Sequence, residues 1–276
     1  MVPKRHDKYF NRINLVARDS DLIQYSGLPL ITRRADNMIV SLDTRYQSHL
    51  LFAPIAHTSG GLLGMEVIAH FTSLNAQVRF PTEFIIPRIN SEERLMLFYE
   101  KISLLEKWRE AFIKNSLFAV VNIDHKIASA ILSSPTLRAR LAQLPFLELG
   151  INENFPELNK GKENKTMFSL SRYFPLMLSN FGAGAATGRA IFDGLFRRVA
   201  LDKTFVQKRR AGGMFEPFMY AIANQVGPSC QTLILPGVDN EETLDEARRL
   251  GFSGAQGALW PAMDGETLVL TLAMAQ

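Results

Sequence analysis

The sequence is poor in the residues that staple or metallate a fold. A single cysteine, Cys230, stands among 276 residues. That excludes a disulfide framework and any zinc site of the multi-cysteine type. The five histidines are scattered, with no pair at metal-ligand spacing. No apolar run reaches the roughly 18 residues a transmembrane helix needs. The first 21 residues, MVPKRHDKYFNRINLVARDSD, contain no apolar h-region. A secretory signal is therefore not expected, and a cytoplasmic location is. Collagen-like, coiled-coil and low-complexity patterns are absent as well.

Charge of one sign is also scarce where it would matter for nucleic acid. The net charge is +4 and the pI about 9.2. Residues 1–37 carry seven basic and four acidic side chains, whereas the other 239 carry 24 and 23. Counterion release from DNA needs basic groups gathered on one face. Lys208-Arg209-Arg210, Arg197-Arg198 and Arg248-Arg249 read instead as solvated helix faces. Direct nucleic-acid binding and membrane association are not expected.

What is present is an ordinary globular composition, 47% hydrophobic and 21% charged. A chain this long buries about three quarters of its unfolded surface without staples. Residues 1–37 show no sustained apolar period and read as a loosely ordered N-terminal extension, with Met38 as a possible start. From about Leu50 short apolar runs alternate with helical stretches. Leu50–Ile55 and Leu62–His70 read as strands joined at Gly60-Gly61. Ser91 is the expected N-cap of a helix to about Asn115, with Leu95, Phe98, Ile102 and Leu105 at helical spacing.

Further strands are expected at 117–123, 146–151, 175–181, 198–201, 231–235 and 253–256. Helices are expected at 124–132, 160–173, 182–195, 215–226, 241–250 and 265–275. Repeated strand-then-helix units imply a mostly parallel sheet. Seven or eight of them in about 230 residues fit an α/β TIM-like (β/α)8 barrel, a single domain at 38–276.

In such a barrel the working face lies at the C-terminal strand ends. There the sequence places Glu66, Asn122, Glu153, Asn180, Asp202, Asp239 and Gln256. Oxygen ligands converging from separate strands suit Mg²⁺ with a phosphate substrate. Strands emerging into water would end in the same residue types, so position alone leaves both readings open.

The residue patterns separate them. Gly64-Met65-Glu66-Val67-Ile68-Ala69-His70-Phe71 resembles the signature segment of the EAL domain family, cyclic di-GMP phosphodiesterases on a TIM-like barrel. The resemblance continues in order through 121–123, 151–153, 181–184, 201–206, 237–240 and Gln256-Gly257, and spans about residues 38–263. It implies that Glu66, Asn122 and Glu153 match metal ligands of active members, and that Asp202 and Gln256 are also retained site positions.

The same resemblance exposes the departures. Ser179-Asn180 stands where active members have adjacent aspartates, Ala200 where they have a lysine, and Pro236 where they have a glutamate. His70 stands where an arginine meets substrate phosphate. Two divalent cations about 4 Å apart need several carboxylates, and three of those are replaced by neutral side chains. Without a bridging metal the attacking water keeps a high pKa. The resemblance thus implies no catalytic residues, no metal and no cofactor, and cyclic di-GMP binding that is weak or absent.

The pattern of loss resembles the YdiV branch of EAL-like proteins, supported by 192–196, 153–156, 215–218 and 259–261. That resemblance implies a non-enzymatic anti-activator that binds the FlhD subunit of FlhD–FlhC, blocks its DNA binding, represses flagellar genes and helps present the complex to the ClpXP protease. The alternatives are a phosphodiesterase with residual activity through Glu66, Asn122, Glu153 and Asp202, or a cyclic di-GMP receptor. The partner-binding surface is not identified by the sequence. Gly182-Ala183-Gly184 reads as a tight strand–helix turn rather than a nucleotide fingerprint. Cys230 reads as a passive thiol, and the Phe215, Phe218, Met219, Ile222 stripe as core.

Overall fold

The structure, a computed structural model, describes residues 22–23, 31–32, 39–41, 45–73, 79–81, 85–184 and 188–274. Its strands are β1 (Leu22–Ile23), β2 (Ile31–Thr32), β3 (Ile39–Ser41), β4 (Arg45–His57), β5 (Leu62–Ser73) and β6 (Arg79–Pro81). They continue with β7 (Phe118–Ile123), β8 (Leu147–Asn152), β9 (Leu176–Phe181), β10 (Arg198–Leu201), β11 (Thr232–Pro236) and β12 (Gly254–Gln256). The α-helices begin with α1 (Ser91–Lys107), α2 (Arg109–Lys114), α3 (His125–Ser133), α4 (Pro135–Ala142) and α5 (Lys165–Tyr173). They end with α6 (Arg189–Phe192), α7 (Lys203–Arg210), α8 (Phe215–Val226), α9 (Glu241–Arg249) and α10 (Gly265–Met274). No described helix is long and apolar enough to cross a membrane.

The chain divides into two compact units. One comprises residues 1–49 and 69–100. It contains the antiparallel ladder β1–β2, with Leu22 opposite Thr32, and the pairing of β3 with the start of β4. It also contains β6 paired with the end of β5, where His70 lies opposite Pro81. Apart from the short β1–β2 ladder, the expected loose order of residues 1–37 lies outside the described residues.

The other unit, residues 50–68 and 101–276, is a closed eight-stranded barrel. Strands β5 and β7 to β12 run parallel in sequence order. β4 closes the ring, pairing with β5 and antiparallel with β12, Gly254 opposite His57. The antiparallel strand follows from the tight turn before β5. His57 N–H donates to Gly61 O at 2.9 Å, and Gly60 and Gly61 sit at φ +110° and +82°. That left-handed backbone is what glycine tolerates.

Central strands are buried on both faces, as expected of strands packed between a filled interior and outer helices. Ile55, Phe118, Val120, Met177, Ala200 and Ile234 form one interior cluster contributed by β4, β7, β9, β10 and β11. Outside, side-chain caps set where helices begin. Asp124, Ser134, Asn164, Asp202 and Asn240 each accept a backbone N–H from the first turn of the following helix.

Several boundaries differ from the sequence reading. Asn90, not Ser91, caps α1: Asn90 Oδ1 accepts from Glu92 and Glu93 N–H, and the Glu93 carboxylate accepts from Asn90 N–H. The long helix breaks at Trp108 before α2. The expected helix at 160–173 starts only at Lys165, because Asn164 turns the chain out of a 3₁₀ segment (Leu158–Glu163). Among the described residues of the expected helix at 182–195, only Arg189–Phe192 are α-helical, while 182–184 form a turn at the end of β9.

Candidate functional site

Glu66 lies on β5, in the barrel unit, at the mouth formed by the C-terminal strand ends. The parallel register sets it beside Val120 and two residues ahead of Asn122 on β7. Asn122 donates from Nδ2 to Glu66 Oε1 at 2.6 Å. Gln256, the last residue of β12, donates from Nε2 to Glu66 Oε2 at 2.9 Å. Ser179 on β9 donates from its hydroxyl to Asn122 Oδ1 at 3.1 Å. Four strands thus tie one chain of hydrogen bonds across the mouth.

Gly150 makes room for it: a Cβ there would stand 2.0 Å from Asn122 Oδ1. Helix α1 carries Lys101, buried at 7% exposure. Burial pulls its pKa down to about 8, and the negative charge of Glu66 acts in the opposite direction. Lys101 is a buried charge the sequence reading missed. Its spacing pointed to it, since Lys101 lies four after Leu97, three after Phe98 and four before Leu105, all of them buried.

The remaining expected positions serve the fold one by one. Glu153 is buried after β8, and its Oε2 accepts from Gly182 N–H at 3.1 Å and from Gly184 N–H. The glycine-rich turn that could have held an anion therefore holds the chain's own carboxylate. Asp202 caps α7, accepting from Phe205 N–H at 2.6 Å. Asp239 accepts from Ala258 N–H at 2.8 Å.

Ala200 belongs to the barrel interior. Asn180, next to last in β9, has φ +61°, and Pro236 ends β11 half-buried. His70, half-buried on β5, lies in the other compact unit. Phe215 and Met219 are buried and Phe218 and Ile222 half-buried, consistent with core packing. Burial pushes the Cys230 thiol up to about 11, which leaves it protonated and inert.

A divalent cation needs free oxygen lone pairs and an excess of negative charge. Both Glu66 oxygens accept amide protons, Asn122 Oδ1 accepts a hydroxyl, and Glu153 accepts the turn. Among the described residues no group of three His, Cys, Asp or Glu side chains could hold a metal. The residues present do not fit the metal centre of an active EAL phosphodiesterase.

The fold and its rearranged mouth define an EAL-type barrel. In fold it is similar to the PaMucR phosphodiesterase in complex with c-di-GMP, at TM-score 0.66 and 18% identity over 80% of this chain and 94% of that one. A crystal structure of the EAL-like domain protein YdiV superposes at TM-score 0.72 with 41% identity, over 82% of this chain and 96% of that chain.

Among curated proteins, the anti-FlhC(2)FlhD(4) factor YdiV of Salmonella arizonae is 48% identical over 232 residues, 84% of this chain and 98% of the relative. The putative anti-FlhC(2)FlhD(4) factor YdiV of Escherichia coli K12 is 41% identical over 226 residues, 82% and 95% respectively. No protein-family model matches the chain. On identity and coverage, the chain belongs to the YdiV family.

Proposed function

We propose that this chain is a non-enzymatic anti-activator of flagellar gene expression, acting on the FlhD–FlhC complex through FlhD. The carrying observation is identity of 48% over nearly the full length of a relative named an anti-FlhC(2)FlhD(4) factor. The chemistry of the barrel mouth supports the reading. Phosphodiester hydrolysis on this fold depends on metal, and the oxygens that would bind it are committed to internal donors. Loss of several members of one catalytic unit leaves little of its rate.

On this reading the barrel is a scaffold whose outer surface meets FlhD in the cytoplasm. Binding withholds the activator from flagellar promoters, and delivery of the bound activator to ClpXP is part of the same proposal. The direct test mixes the purified full chain with FlhD and with FlhD–FlhC at micromolar concentration on a sizing column, followed by a promoter-DNA shift assay. Co-elution and dose-dependent release of DNA are expected. Separate elution with DNA binding unchanged would sink the proposal. FlhD decay with ClpXP, measured with and without the chain, tests the delivery step by itself.

A further inference from the structure

We infer that the corner between α7 and α8 is the docking surface for the protein partner, and that it takes an acidic segment of FlhD–FlhC with Arg209 as the anchor. The identity of the partner rests on the proposed function; the place and its chemistry rest on the geometry of the corner.

The corner holds one cation still. The rings of Phe205 on α7 and Phe218 on α8 lie 5.7 Å apart, tilted at 59°. The Arg209 guanidinium carbon sits 5.4 Å from the centre of the first ring and 4.3 Å from the centre of the second. Such contact fixes a planar cation and leaves its N–H edge for an acceptor. Arg210 differs. It lies 4.4 Å from the centre of the Phe215 ring, and its Nη2 is 2.6 Å from Glu246 Oε2 on α9, so its charge is neutralised within the fold. Among the described residues neither Arg209 nor its exposed neighbour Lys208 pairs with a carboxylate.

The surroundings indicate what kind of acceptor fits. Residues 203–214 hold four basic side chains and no acidic one, and every residue from 207 to 214 is exposed. Met214, four residues before Phe218, is 70% exposed, and a Cβ on Gly213 would meet nothing within 4 Å. Methionine, aromatic rings and a held arginine are what the centre of a protein interface is enriched in. Holding the guanidinium before binding also lowers the ordering cost of association. A nucleic acid would need further cations along its phosphate track. The neighbouring helices instead expose Glu216 on α8 and Glu241 and Glu242 on α9. A carboxylate-bearing protein segment needs only the corner itself.

The test measures the affinity of FlhD–FlhC for the full chain and its variants by titration calorimetry at about 50 and 300 mM salt, with melting temperatures to confirm folding. Arg209→Glu is expected to weaken binding at least about tenfold and to flatten its salt dependence, and Lys208→Glu to act in the same direction. Arg209→Lys keeps the charge without the planar stack and should fall between parent and Arg209→Glu. Lys126→Glu makes the same change of charge at an exposed position of α3, on β7's side of the barrel and three strands from β10. It should change affinity by no more than about twofold, because a distant exposed charge is screened.

A parent chain that binds while Arg209→Glu binds equally well would overturn the inference and leave the proposed function standing. A parent that binds FlhD–FlhC at neither salt concentration would overturn both. Equal weakening by Lys126→Glu would reduce the effect to overall charge and also overturn it. So would duplex DNA bound by the chain alone and released in Arg209→Glu, which would assign the corner to phosphate. Should Arg209→Glu fail to fold, Lys208→Glu, whose exposed side chain has no ring contact, decides by the same criteria.

Discussion

At the end of the barrel opposite the mouth, Glu148 is buried at 1% exposure near the start of β8. Arg198 donates from Nε to both its oxygens, at 3.3 and 3.1 Å, and from Nη1 to Thr232 Oγ1 at 2.6 Å. The Arg198 guanidinium also lies 3.7 Å from the centre of the Phe118 ring. Burial pushes the Glu148 carboxyl above the usual 4.5, while Arg198 and Arg197 pull it back. A carboxyl raised on folding binds its proton more tightly in the native state. Its contribution is therefore favourable below about 4.5 and is lost as pH rises through the native value.

Arg198→Met removes the stronger opposing charge and leaves Glu148 only the longer contact to the more exposed Arg197, at 3.6 Å. The expected loss is below the ~3–5 kcal/mol of a fully unpaired buried charge near neutral pH, narrowing as pH falls toward 4.5. Urea unfolding of parent and variant at several pH values measures it, and a gap that stays constant or widens in acid would contradict the account. At this scale the sequence disclosed the mouth residues that share a network (Glu66, Asn122, Ser179 and Gln256), because residue order along an EAL-like pattern carries them. It did not disclose that Lys101 is buried, since a lysine within a helix reads as solvated unless its apolar neighbours at three and four residues are weighed first. Glu153 and Asp202 were legible as positions, but their hydrogen-bond partners come from turns whose geometry no periodicity describes.

The helices show how a retained site residue can be kept for local reasons. Asp202 follows β10 directly and accepts from Phe205 N–H, so it satisfies an otherwise unpaired donor at the start of α7. Its carboxylate also faces the positive end of that helix. Asp202→Ala should cost ~0.5–2 kcal/mol of stability, and Asp202→Asn, which keeps the cap, much less. Denaturant midpoints for the two variants test this, and equal losses would point to a role beyond capping.

Most strands were legible as short apolar runs, because strands buried on both faces leave a strong composition signal. The start of α5 and the extent of α6 were not. Asn164 ends a 3₁₀ segment by a side-chain bond to Met167 N–H and a second to Pro156 O, contacts that a helical pattern across 160–173 conceals. The break at Trp108 has a similar origin: a Cβ on Gly265 would stand 2.0 Å from the Trp108 indole nitrogen, so the start of α10 packs where α1 stops. That contact joins residues far apart in sequence.

For the barrel as a whole, repeated strand–helix units foretold a closed parallel ring, and seven of the eight strands obey. The exception, β4, is fixed by the four-residue turn to β5, too short for the crossover that a parallel pair requires. Closure through an antiparallel strand still brings the β5, β7, β9 and β12 ends together, so the mouth survives as geometry while its charge has changed. Shape and chemistry can therefore be separated by a ligand that reads both.

Cyclic di-GMP binding would stabilise the native state. At a hundredfold excess over its dissociation constant the gain is ~2.7 kcal/mol, worth about 5–10 °C in melting temperature for a chain of this size. If the mouth has exchanged metal-binding oxygens for internal hydrogen bonds, neither cyclic di-GMP alone nor cyclic di-GMP with Mg²⁺ should move the melting temperature by more than ~1 °C. FlhD, under the proposed function, should raise it in a concentration-dependent way. A shift with the dinucleotide that vanishes in Glu66→Gln would mean that the mouth still recognises phosphate despite its committed oxygens, and the separation of scaffold from chemistry would fail at its central residue.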